Sequence, residues 1–82
     1  MNSDEVLKKV NEIFIDVLEN NKIILNFETT AEDIEEWDSL THIQIIVAIE
    51  KYFNMRFTST EFQSWENVGE MIDSISKKII RR

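Results

Sequence analysis

The segment LTHIQIIVAIEKYF, residues 40–53, constrains this chain more than any other stretch. It is long enough for four turns of helix, and its apolar residues fall on two flanks. Leu40, Ile43 and Val47 share one flank; Ile45, Ile49 and Phe53 share another. A helix on a soluble domain ordinarily carries one apolar stripe, turned to the core. The surplus stripe is therefore available to a ligand or a partner. A membrane does not account for it, because the longest apolar run, Ile45 to Ile49, is far too short to span a bilayer.

Just upstream, Glu36-Trp37-Asp38-Ser39-Leu40 reads as the start of this helix. The Asp38 carboxylate is suited to accept backbone N–H groups that lack partners in a first turn. Ser39 then falls in that turn, where the helix dipole favours an anion such as a phosphate ester on its hydroxyl. The helix is expected over residues 38–53, ended by Asn54.

Before it, residues 3–19 form an amphipathic helix capped by Asn2 or Ser3, with Asp4 and Glu5 in its first turn. Val6, Val10, Ile13, Phe14 and Val17 give it one buried face, which Leu7 and Leu18 widen. Asn20 and Asn21 are expected to end it. The connection from there to Trp37 is long and holds neither Gly nor Pro. Ile23, Leu25 and Phe27 alternate like a strand, but no second strand is available to pair with. They are expected to pin the loop across the helices, as is Ile34, and Thr30 with Asp33 can close a small helical turn.

After it, Thr58 and Glu61 have capping-box spacing for a short helix over about residues 59–64, anchored by Phe62. Asn67, with Glu70 as its reciprocal partner, caps a last helix that buries Val68, Met71, Ile72, Ile75, Ile79 and Ile80. The expected fold is all-α: a small four-helix bundle of three main helices and one short one, with a long loop between the first two. At 82 residues it makes one domain, spanning residues 1–82.

Composition narrows the function. The chain has no cysteine, so disulfides, thiolate metal sites and a cysteine nucleophile are excluded. A formal charge of −7 argues against nucleic acid and for basic partners. Between Lys22 and Lys51 there is no Lys or Arg, whereas Glu28, Glu32, Asp33, Glu35, Glu36, Asp38 and Glu50 lie there. The basic residues Lys77, Lys78, Arg81 and Arg82 gather at the end, where they suit a helix C-terminus. The opening residues are polar and unlike a secretory signal, so a cytoplasmic protein is expected. The acidic run lacks the alternating ligands and glycine of a calcium loop, and a single histidine cannot form a two-histidine metal site. His42 lies three residues from Ser39, yet no strand–turn–helix elbow frames that serine. An exposed or partner-facing role for His42 is expected, and Trp37 and Trp65 are read as packing residues.

The string WDSLTHIQIIVAIEKYF, followed at a distance by NVGEMIDSI, resembles the acyl carrier protein family over roughly residues 3–80. The resemblance implies that Ser39, flanked by Asp38 and Leu40, is esterified with 4′-phosphopantetheine by a phosphopantetheinyl transferase. It implies a monomeric carrier, with an acyl group held as a thioester on that arm and passed from a loading ligase or transferase to downstream synthases. Leu40, Ile43 and Val47 would then form the docking stripe, with Glu35, Glu36 and Glu50 steering basic partners. Thr41 and Gln44 stand where relatives in fatty acid synthesis often carry acids, and Trp37 where they carry a small residue. That departure favours a specialised pathway, polyketide-like or otherwise, at least as much as fatty acid synthesis. An aminoacyl carrier of peptidyl or D-alanyl type is an alternative, because the loading enzyme chooses the cargo. An acidic helical adaptor is another. An enzyme reading is weakest, since no triad, metal cluster or phosphate loop is present.

Overall fold

The computed structural model describes residues 2–80. Helices α1 (Ser3–Leu18), α2 (Ser39–Phe53), α3 (Ser59–Gln63) and α4 (Val68–Ile80) follow in order, with a 3-10 turn at Ala31–Asp33. This is the expected all-α bundle. No described helix is long and apolar enough to cross a membrane. The basic pair Arg81 and Arg82, and the burial expected of Ile80, lie outside what the structure describes.

The first helix is the hub, packing against both α2 and α4. Asn2 Oδ1 accepts the Glu5 N–H at 2.9 Å and Glu5 returns the bond to Asn2 at 3.3 Å, so the start of α1 is closed on itself. Val6, Val10, Phe14 and Leu18, four apart, are its buried row. Ile45, Ile46, Ile49 and Phe53 of α2 and Val68, Met71, Ile72 and Ile75 of α4 complete the core. Leu7, Ile13, Val17 and Ile79 lie along its margin, half-buried.

The boundaries fall within a residue of expectation, but the end of α1 is built differently. The last residue of α1 is Leu18, and the left-handed turn is made by Glu19 at φ 53°, not by Asn20 or Asn21. The N–H of Asn20 reaches back at 3.2 Å to the Ile15 carbonyl, which also accepts the Glu19 N–H, so two donors share one acceptor at the helix end. Asn20 instead shapes the next turn, accepting the Lys22 N–H at 3.0 Å.

The long loop is fastened at both ends of its course. Asn11 of α1 clamps it, donating to the Ile23 carbonyl at 3.2 Å and accepting the Leu25 N–H, which drives both side chains into the core. Thr30 and Asp33 close the small turn, the Thr30 N–H donating to Asp33 at 2.9 Å. Farther along, the Thr29 and Phe27 carbonyls accept the N–H groups of Val68 and Gly69, each at 2.8 Å. The loop backbone thus satisfies two donors that the start of α4 leaves open. Phe27 therefore pins the loop through its carbonyl; its ring, expected to pack, is 39% exposed.

Between α2 and α4, the Thr58–Glu61 capping box forms as expected, and Lys78 of α4 reaches Glu61 at 3.0 Å. Asn67 accepts the Glu70 N–H at 2.9 Å, though among the described residues Glu70 does not return it. The chain's single glycine, Gly69, is demanded by the loop contact. A Cβ there would stand 2.7 Å from the Phe27 carbonyl oxygen, a backbone atom that cannot swing aside. Gly69→Ala should lower the stability of the fold by about 1–3 kcal/mol, measured by urea denaturation, whereas Ala at the exposed Glu70 should change it little.

Candidate functional site at the start of α2

The junction between the loop and α2 is closed by hydrogen bonds that bracket Ser39. Asp38 occupies the cap position, its Oδ1 accepting the N–H of Leu40 at 3.0 Å and of Thr41 at 2.9 Å. Thr41 answers from the third position: its hydroxyl accepts the Asp38 N–H at 2.8 Å and donates to the Glu36 carbonyl at 2.8 Å. Thr41, notable in the sequence only as a departure from an acid, therefore completes the cap. Ser39 stands exposed at the first helical position, and among the described residues its hydroxyl makes no hydrogen bond.

Trp37, directly before the cap, is buried and packs edge-on against Phe14 of α1, ring centroids 4.8 Å apart. Its indole N–H donates to Nδ1 of His42 at 3.0 Å. His42 is thus half-buried and engaged, which corrects the expectation of an exposed or partner-facing residue. Its ring lies among those of Trp37, Phe62 and Trp65. Trp65 has a separate partner, its indole N–H donating to the Ser74 hydroxyl at 2.9 Å. A cavity of about 440 Å³ opens beside Ser39, lined by Trp37, His42, Phe62 and Trp65 and by the carboxylates Asp38 and Glu66.

The two apolar flanks of α2 separate cleanly. Ile45 and Ile49 are fully buried, whereas Leu40, Ile43 and Val47 are 69%, 47% and 42% exposed. The acidic residues do not form one uniform surface. Glu35 is exposed; Glu36 accepts the Asn20 side-chain amide at 2.9 Å; Glu50 accepts the Phe57 N–H at 2.9 Å and so holds the turn after α2. Sequence reasoning missed the local duties of Glu50, Thr41 and His42, since each partner is brought near by a turn of the chain. The signals available were the capping-box spacing of Asp38 and Thr41 and the spacing of Trp37 and His42 across a helix start.

The bonds to Asp38, foremost that from the Thr41 N–H, hold its carboxyl below the ordinary Asp range against a smaller opposing desolvation. A carboxyl lowered in the folded state adds stability above its unfolded pKa and loses that contribution as pH falls through the folded one. Asp38→Asn removes this titration. The thermal midpoint of the wild type should accordingly fall more steeply than that of the variant below about pH 4.

Comparison with known proteins bears on this junction. The family described as "Phosphopantetheine attachment site" matches residues 8–75. An acyl carrier protein of Thermosynechococcus vestitus is 30% identical over 80 residues, covering 96% of this chain and 98% of that relative. The solution NMR structure of a holo acyl carrier protein from Geobacter metallireducens aligns with a TM-score of 0.87 at 38% identity, covering 93% of this chain and 87% of that one.

Proposed function

Because this chain belongs to the acyl carrier protein family, whose prosthetic group is 4′-phosphopantetheine, we propose that Ser39 is the residue that bears it. The observation that carries this reading is the free, exposed Ser39 hydroxyl at the first position of a capped helix. The residues present suit the group: nothing in the described structure competes for the hydroxyl, and the cavity beside it leaves room for an arm. When bound, the arm supplies a thiol for a thioester, which a chain without cysteine does not otherwise possess. Asp38 and Thr41 keep the helix start rigid so that a phosphopantetheinyl transferase meets the serine in one geometry. The chain then acts as a carrier and substrate of its partners, raising the effective concentration of the tethered group at each.

Leu40, Ile43 and Val47 form the docking stripe in this reading. Their exposure supports it, since burying them on a partner removes apolar surface from water at little cost in order. Glu35 and Glu36, next to the junction, steer basic partners toward Ser39. Glu50 contributes less, its carboxylate being engaged with Phe57. Cargo is an acyl group of a fatty acid, polyketide or related specialised pathway, with Trp37, Thr41 and Gln44 favouring the specialised kind.

Incubation with coenzyme A and a broad-specificity phosphopantetheinyl transferase should add one phosphopantetheine to the intact mass. Ser39→Ala should abolish the gain; an undiminished adduct in that variant sinks the assignment. Ile43→Glu tests the stripe. It should slow modification severalfold while leaving the unfolding midpoint nearly unchanged, whereas loss of a core aliphatic costs about 2–5 kcal/mol.

A further inference from the structure

His42 has a chemical requirement that the carrier reading does not use. An indole N–H is a donor only, so Nδ1 of His42 must present a lone pair to Trp37. The ring is then neutral, with its proton on Nε2, which faces the Phe62 carbonyl of α3 at 3.4 Å. One neutral imidazole thereby joins the residue before the Asp38 cap to the short helix across the cavity. Trp37 and His42 stand on either side of Ser39 in sequence. Thr41 ties Glu36 and Asp38 within the same span, so residues 36–42 close into a bracket with Ser39 at its centre.

We propose that His42 is a positioning residue for Ser39, active only while its ring is neutral. This rests on Ser39 being the attachment site. Protonation puts a second N–H on the ring, pointing at the Trp37 N–H, and the two donors repel. Trp37 is only 8% exposed, so its indole has little water to turn to. The charged groups that line the same cavity are the carboxylates of Asp38, at the start of α2, and Glu66, on the link to α4. The other faces are uncharged, with Trp37 below the cap, Phe62 and Gln63 on α3, and Trp65 beyond it. No cation among the described residues lines the cavity. Protonation of the ring therefore breaks the bond to Trp37, and the bracket holding Ser39 opens on the side of α3.

Two measurements on the whole chain test this, with Trp65 for comparison: its ring lies near His42, but its indole N–H bonds to the Ser74 hydroxyl and not to the imidazole. In an NMR titration toward acid, the Trp37 indole N–H resonance should move in step with the His42 ring protons, and by more than that of Trp65. Next, the rate of coenzyme A-dependent modification is measured across the same range with one transferase for wild type and His42→Gln. Their ratio cancels the enzyme's own pH dependence. It should fall about threefold or more toward the acid side, because glutamine keeps an acceptor oxygen that does not titrate. His42→Phe, which keeps an aromatic ring but lacks an acceptor, should be slow at every pH. A Trp37 resonance that ignores the His42 titration overturns the proposal, as does a flat ratio with normal modification. Failure of the wild type to accept the group at any pH overturns the attachment reading instead, and the positioning role falls with it.

Discussion

The edge-on contact between Trp37 and Phe14 is the joint on which the site depends. It fixes the far end of a long, glycine-free loop to the middle of α1, the helix against which α2 and α4 also pack. With Trp37 held there, the chain has one direction in which to enter α2, and Asp38 arrives where its carboxylate meets the open N–H groups. The same indole presents its N–H to His42. A single buried ring therefore serves packing, chain direction and hydrogen bonding at once, which a smaller residue at this position has no means to do.

Helix α2 owes its two flanks to this arrangement. Ile45, Ile46, Ile49 and Phe53 bury themselves against α1 and the rest of the core, and that burial is enough to hold the helix without its other flank. Leu40, Ile43 and Val47 remain in water, at a free-energy cost roughly proportional to their exposed apolar area. Three modest aliphatics left in water suit a contact that forms and breaks readily, as the proposed docking role requires.

Much of this was legible in the sequence, because amphipathic period and capping chemistry are local. The spacing of Val6, Val10 and Phe14, the Thr58–Glu61 box and the Asp38 cap all follow from residues within a few positions of one another. What was illegible involved partners that folding brings together. The stop of α1 at Glu19 has no signature, since a left-handed glutamate looks in sequence like one more helix former. Phe27 reads as a side chain that pins the loop across the helices, yet Gly69 takes its carbonyl and the ring is left at the surface. His42 reads as a solvent-facing helix residue until Trp37 folds back across the cap. Glu50 reads as surface charge until the chain turns at Asn54 and delivers the Phe57 N–H.

The two bonds from the loop to the start of α4 bear on how the chain assembles. They join Thr29 to Val68 and Phe27 to Gly69, groups about 40 residues apart, and such closures carry an entropic cost that local helix formation does not. Until those bonds form, the loop keeps its Asn11 anchorage but lacks its second fastening. Docking of α4 against α1 therefore does two things at once: it completes the core, and it ties down the loop that leads into α2.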